Sequence, residues 1–534
     1  MVFQGGFKRL RNNYNNNLNI YNLNILKINI TSNCRIYNNF FKTGGIQMEN
    51  KEINTKYHRA KWWQMALFPL NNTATNLYML MMGYVSYYLT GFAGIGVVVV
   101  GTIMTAMRIW DGVTDPIIGF VLDKTNGKLG KNRPFMILGN IILAVMAIVI
   151  FKTTHLVPEK FSLIYFIAVY AVYIIGYTLQ CVVTKSAQSC LTNDPAQRPM
   201  FALFDGIYNS IIFAVMGYVV MSIWYPKYGG FTLEFFNNFL IFTVVASAIL
   251  TILAVIAIWS KDRPEYFGTG VAVKVTFKDY WEVLKKNRAI QMLVVSASSD
   301  KLSMSIAQNS IIIMMVYGIV CGDAALGSKL QLVMMVPNFI ILFFGVGYIA
   351  RKLGQRKAMI WGSVAGIVFN LALFALFVIG DPKSLSLTNI GSFTVLFVIF
   401  TILGKGATGV AGSIVIPMTA DCADYETYRS GKYVPGLMGT LFSFVDKVIS
   451  SFATTVVSFA IAAIGFTTTQ PTDTTPLTPE IFWLGISLMF LVPIIGLVCN
   501  LIAMKFYPLT KEKMEEIQDA IAEIKAKAEK SNVA

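Results

Sequence analysis

Apolar residues recur along this chain in runs of about 20, the length that crosses roughly 30 Å of hydrocarbon as helix. Twelve runs are read: residues 64–89, 97–122, 134–151, 162–185, 201–223, 238–259, 289–317, 328–350, 357–379, 391–418, 437–465 and 481–506. The pattern predicts an all-α polytopic membrane protein with twelve transmembrane helices.

The second run breaks the pattern. It reads GTIMTAMRIWDGVTDPIIGF, and Arg108, Asp111 and Asp115 interrupt it at spacings of three and four. Those spacings put all three on one helical face. A charge near the bilayer centre costs at least about 2.5 kcal/mol on insertion scales. Three on one face require a wet or paired environment, which makes this face a candidate ion or substrate pathway.

Composition agrees with a membrane class. Hydrophobic residues make up 55% of the 534 and charged residues 13%, where a soluble domain carries about 25% charge. The net charge of +16 raises nucleic acid as a partner, and its placement removes it. With residue 64 entering from the cytoplasm, the inner loops hold eighteen lysines and arginines and the outer loops five. By the positive-inside rule both termini are cytoplasmic in a cell membrane. Six scattered cysteines without a CxxC pair read as small core residues. No metal site, resident cofactor or nucleophile–base constellation is visible, so the chain is not read as an enzyme.

The basic stretch 263–288 is the boundary between two six-helix halves, 48–262 and 289–507. A weak echo links them: GFVLDKTNGKLGKNRPF after run two, GYIARKLGQRKAM after run eight, with Gly130 and Gly354 in matching basic turns. Repeated halves are common in transporters; two unrelated basic turns obeying the charge rule is the alternative. Residues 1–47 contain twelve Asn, six Lys or Arg and no acidic residue. They lack a signal-peptide h-region and are read as a disordered or non-native leader, with Met48 as the natural start. Residues 508–534 read as a solvated cytoplasmic helix of mixed charge.

Two segments carry a family likeness. RIWDGVTDPIIGFVLDKTNGKLGKNRPF resembles the second-helix and following-loop signature of the glycoside–pentoside–hexuronide:cation symporters, and DCADYETYRSGKYVPGLMGTLFSFVDK resembles their loop between helices ten and eleven plus helix eleven. These melibiose permease-like proteins have the major facilitator fold. The resemblance implies a cation site formed by Asp111, Asp115 and Thr114 on helix two and Thr178 on helix four. Asp111 and Asp115 would be the metal ligands if Na⁺ is the coupling ion. It also implies that Arg108 and the intramembrane Lys447, with Asp446 beside it, couple that site to the sugar. The chemistry is compatible: hard cations favour carboxylate and hydroxyl oxygens, and a proton or Na⁺ relieves repulsion between paired carboxylates.

The chain also departs from the family's melibiose carrier. The helix-one sugar-contacting Asp falls near Thr75 and Asn76, the helix-four Asp near Cys181, the following Trp near Lys185, and the helix-five Arg close to Asp205. A cation on helix four and an acid on helix five suggest either an anionic glycoside held by Lys185 or a Lys185–Asp205 ion pair between adjacent helix ends; the ion pair is favoured. Asp300, Lys301 and Lys405 lie within runs and raise the same choice between cavity and structural pairing. Gln180, Gln188, Gln308 and Asn309 either bond sugar hydroxyls or join helices.

The expectation is a secondary active symporter that imports a sugar or glycoside with Na⁺ or H⁺ by alternating access, its partners being the sugar, the cation and the lipid bilayer. The alternatives are a proton-coupled exporter of the same fold and a non-transporting sugar sensor.

Overall fold

In the computed structural model, which describes residues 58–521 except 126, 128, 193–196, 267–283, 345–353 and 431–434, helix occupies each of the twelve apolar runs. The helices are α1 (Leu70–Met82), α2 (Val97–Lys124), α3 (Arg133–Thr153), α4 (Glu159–Ser186), α5 (Arg198–Ile211), α6 (Leu233–Ile258), α7 (Arg288–Ala307), α8 (Leu326–Phe344), α9 (Gln355–Ile379), α10 (Ser392–Ser430), α11 (Pro435–Ala463) and α12 (Val492–Phe506). No strand occurs among the described residues. Nine described helical segments are long and apolar enough to cross a membrane, ten if α7 and its bent continuation count as one. The expected leader, 1–47, and most of the central loop lie outside the described residues.

Two runs are interrupted where hydropathy gives no sign of it. In the first, Tyr84 leaves helical geometry (φ −105°, ψ 1°) and helix resumes as Val85–Phe92. In the seventh, α7 stops at Gln308 and Asn309 starts a new segment, bent by 46°. Asn309 turns extended (φ −62°, ψ 137°) and its side chain accepts from the Ile311 amide, the usual chemistry of a helix start.

Side-chain hydrogen bonds fasten the helices within each half. Gln180 of α4 donates to the Met136 carbonyl of α3 at 2.7 Å, a joining role. Ser247 of α6 donates to Tyr78 of α1 at 2.9 Å. Asn500 of α12 links Ser296 of α7 and Ser363 of α9 at 2.6 and 3.0 Å. Each replaces a backbone or hydroxyl partner that lipid cannot supply.

The hydrophobic core is shared at one end and divided at the other. At the end opposite the termini end, where the described chain ends near Ala60 and Ile521 lie, one cluster runs from Tyr88, Val97, Phe151 and Val220 of the first half to Met315, Leu326 and Val457 of the second. At the termini end each half has its own cluster, around Phe201 and Ile258 in the first and Ile290 and Met418 in the second. Hydrogen bonds follow the same division. Val97 N–H donates to the Thr467 carbonyl at 2.9 Å. Thr105 Oγ1 donates to the Ser451 carbonyl at 2.7 Å, and Ser222 and Ser328 hydroxyls pair at 3.2 Å.

A tight structure closes the turn between α2 and α3. Asp262, fully buried beyond the end of α6, accepts from the backbone amides of Lys131, Asn132 and Arg133 at 3.2, 3.0 and 2.9 Å. It also accepts from Asn132 Nδ2 and Arg133 Nε at 2.9 and 3.4 Å. The carboxylate thus supplies the first turn of α3 with acceptors that a helix start otherwise lacks. Gly130 (φ 91°) has to be glycine here, because a Cβ would collide with Asp262. Gly354, its counterpart in the sequence echo, also has positive φ (84°) before α9. Asp262→Asn turns one acceptor into a donor facing other donors. A loss of about 1–3 kcal/mol is expected, read as a lower thermal midpoint of the purified protein in detergent.

Two expectations about polar segments are corrected. DCADYETYRS is not a loop but the last turns of α10, with Glu426 and Arg429 paired at 2.7 Å along one face. The described part of the tail is helical from residue 511 to 521 but not simply solvated. Ile517 and Ile521 are buried against the second half's core, and Gln518 donates to Asp424 at 2.7 Å. Five described cysteines are unpaired; burial pushes the Cys190 thiol up to about 12, which keeps it inert near neutrality.

Candidate functional site

The charged face of α2 meets α4 of the same half and α11 of the other. Asp111 is buried, its side chain 2% exposed. Thr178 of α4 donates to Asp111 Oδ1 at 3.2 Å, and Thr114 stands 2.9 Å from the Thr178 hydroxyl. Thr114 also donates to the Asp111 carbonyl at 3.0 Å. Four of the sequence candidates therefore converge, Asp115 standing one turn further along α2.

The cation among them is a side chain. Lys447 of α11 places its Nζ 2.5 Å from Asp115 Oδ2 and 3.3 Å from Asp111 Oδ2. Arg108 lies 3.5 Å from the same Asp111 oxygen. That oxygen is buried and receives no hydrogen bond: two cations lie at ion-pair distance, yet neither donates to it. Two positive and two negative charges balance, so an added cation makes the cluster net positive unless Lys447 moves away.

Chemically, two carboxylates and two hydroxyls are the kind of oxygen donors that a small hard cation favours. Lys447 occupies part of the same electrostatic well. It is also an ion pair between halves, since α2 and α11 belong to different six-helix groups. Asp446 lies in the field of Lys301 of α7 and of Arg108, which extends the charged network across the half boundary.

Other candidates fall elsewhere. Asp205 of α5 does not pair with Lys185; it accepts from Asn72 of α1 at 2.8 Å and from Asn209 at 3.1 Å. Asn76 donates to Asn209 at 2.6 Å. The result is a polar ladder between α1 and α5. The favoured ion pair is therefore absent, because amide donors already occupy both Asp205 oxygens. Lys185 is exposed. Thr75 is buried and bonded to its own helix at the Asn71 carbonyl.

Two residues were not among the site candidates. Asn72 forms the ladder, and its spacing of four from Asn76 was the available signal. Tyr177 of α4 has Arg108 Cζ 6.0 Å from its ring centroid, within cation–π range.

Comparison with known proteins adds a family and a fold. A family model described as MFS/sugar transport protein matches residues 71–511. The chain is 24% identical over 459 residues to the glucuronide carrier protein homolog of Escherichia coli (strain K12), covering 85% of this chain and 94% of that one. It is 22% identical over 463 residues to the isoprimeverose transporter of Lactiplantibacillus pentosus, covering 86% and 91%. Among solved structures, the nucleoside transporter NupG superposes with a TM-score of 0.54 at 12% identity, over 84% of this chain and 99% of that one. The similarity to NupG shows the fold.

Proposed function

The chain belongs to the MFS/sugar transport protein family, the glycoside–pentoside–hexuronide:cation symporters in transport terms, and on that premise we propose that it is a cation-coupled sugar symporter. Two relatives are named a glucuronide carrier protein homolog and an isoprimeverose transporter, which supports a saccharide as substrate. We place both termini in the cytoplasm and assign the protein no chemical step on the sugar.

The observation that carries the mechanism is the position of Lys447. It holds α11 of one half against Asp111 and Asp115 of the other. A cation entering between the carboxylates competes with that ammonium and weakens the tie between halves. Thr178 and Thr114 supply neutral oxygens that a cation can take up as Lys447 leaves. The divided core at the termini end and the shared core at the other fit one limb of an alternating-access cycle, in which the two ends open in turn.

Each co-transported cation adds about 2.3 kcal/mol per 100 mV of membrane potential. That corresponds to roughly fifty-fold accumulation of a neutral sugar, so one cation suffices. The test uses purified protein in liposomes with an imposed inward Na⁺ or H⁺ gradient and radiolabelled glycosides. Uptake above equilibrium that collapses with the gradient is expected; accumulation indifferent to both gradients overturns cation coupling.

A further inference from the structure

A cavity of 810 Å³ lies at the end of the bundle where the two halves share a core, and no residue of the α2 cluster lines it. Its walls come from both halves: the Val85–Phe92 segment and the helical continuation of α5 over residues 212–227 on one side, the start of α8 and the segment linking α11 to α12 on the other. The volume lies within the range of about 300–1,000 Å³ typical of small-molecule sites.

Its lining is suited to a sugar. Tyr87 and Phe231 rings lie 4.3 Å apart between centroids and Tyr225 meets Phe231 at 4.7 Å, forming an aromatic wall. Tyr225 donates to Asp473 across the halves at 2.7 Å. Gln470 is 7% exposed, and neither its amide oxygen nor its nitrogen has a partner. A buried amide left without partners is costly. One donor and one acceptor side by side match vicinal hydroxyls, each of which both donates and accepts.

The charge selects further. Lys329 is bonded to Asp323 at 2.8 Å, so the pair is neutral, and Asp473 leaves the lining net negative. An anionic glycoside is repelled and an uncharged one is not. At Gly229 and Gly322, both in the lining, an added Cβ would meet open space, so no side chain fills the cavity there.

We propose that this cavity is a vestibular subsite for an uncharged saccharide, whose hydroxyls bond Gln470 and Asp473 while a ring face packs on the Tyr87–Phe231–Tyr225 wall. Its occupant touches both halves and strengthens the closure made by Tyr225–Asp473 and Ser222–Ser328. The substrate class rests on the sugar-symporter reading; the site does not depend on the cation cluster.

The test is protection of a rim position. Thr474, exposed beside Asp473, becomes Thr474→Cys in the full chain in lipid nanodiscs and is labelled with a polar maleimide, the unsubstituted chain serving as blank. The probes are the neutral p-nitrophenyl β-glucoside, β-xyloside and β-galactoside and the anionic p-nitrophenyl β-glucuronide. Saturable slowing by at least one neutral probe is expected, with the glucuronide requiring about tenfold more. Gln470→Leu, close in shape, should raise the half-protecting concentration about tenfold, and Tyr225→Phe should raise it as well. Protection should persist when Asp115→Asn is added, with or without Na⁺. Absence of protection by all neutral probes, indifference to both lining variants, or loss of protection with Asp115→Asn overturns the subsite. Intact cation-driven uptake without protection refutes the subsite alone; protection without any cation-driven uptake refutes the symporter reading alone.

Discussion

Asp115→Asn should reduce sugar accumulation in energised vesicles from roughly fifty-fold per 100 mV to equality of concentration on both sides, while sugar still exchanges down its gradient. The carboxylate is 28% exposed beside a buried Asp111, so it is the accessible oxygen donor of the pair. Asparagine keeps the shape and one carbonyl oxygen but removes the charge that attracts a cation into the bundle. It also frees Lys447 from its shortest contact. Lys447 can then rest on Asp111 alone, 3.3 Å away, and the cation no longer competes for a shared pair. The measurement is accumulation against counterflow in the same vesicle preparation. Accumulation retained at the level of the unsubstituted protein assigns the cation site elsewhere.

Lys447→Gln has the opposite expected sign for the cation. Unit charges about 4 Å apart interact by about 4 kcal/mol at an effective dielectric constant of 20, so the ammonium is a strong competitor. Removing it leaves two carboxylates balanced by Arg108 alone, a net negative cluster that further favours an entering cation. Cation affinity, measured by equilibrium binding of radioactive sodium or by proton uptake, should rise by about ten- to a hundred-fold, equivalent to about 1.4–2.8 kcal/mol. Coupled uptake should fall at the same time, because the cation is released slowly and its arrival no longer breaks a tie between halves. A weaker cation affinity contradicts the competition and makes Lys447 a residue that shapes the site.

The face of α2 was legible because an i, i+3, i+7 placement of charges in an apolar run has one geometric meaning. The place of Lys447 was not legible from spacing. Its 332-residue separation from Asp115 is bridged only by packing between halves, and only the family resemblance pointed to it. Asn72 shows another limit. Thr75 and Asn72 are both polar and one turn apart, and the rotation of α1 decides which meets α5. The structure gives Thr75 its own helix's carbonyl and Asn72 the Asp205 carboxylate. The breaks at Tyr84 and Asn309 escaped because hydropathy is blind to backbone direction. The acidic end of α10 was taken for a loop because polarity and helicity were confounded; a helix that leaves lipid can be as polar as a turn. The docked tail was partly readable, since Ile517 and Ile521 are spaced by four with Met514 beside them, an apolar stripe that needs a partner.

The central claim is that the α2 carboxylates, contested by Lys447, are where cation and sugar binding are linked. Its most direct test is the sugar affinity of the purified protein at zero and at saturating cation, paired with the cation affinity at zero and at saturating sugar. Linkage requires the two ratios to be equal. The account predicts equal ratios above unity in the unsubstituted protein and a ratio of one in Asp115→Asn, with sugar still bound. A ratio that survives Asp115→Asn unchanged contradicts it.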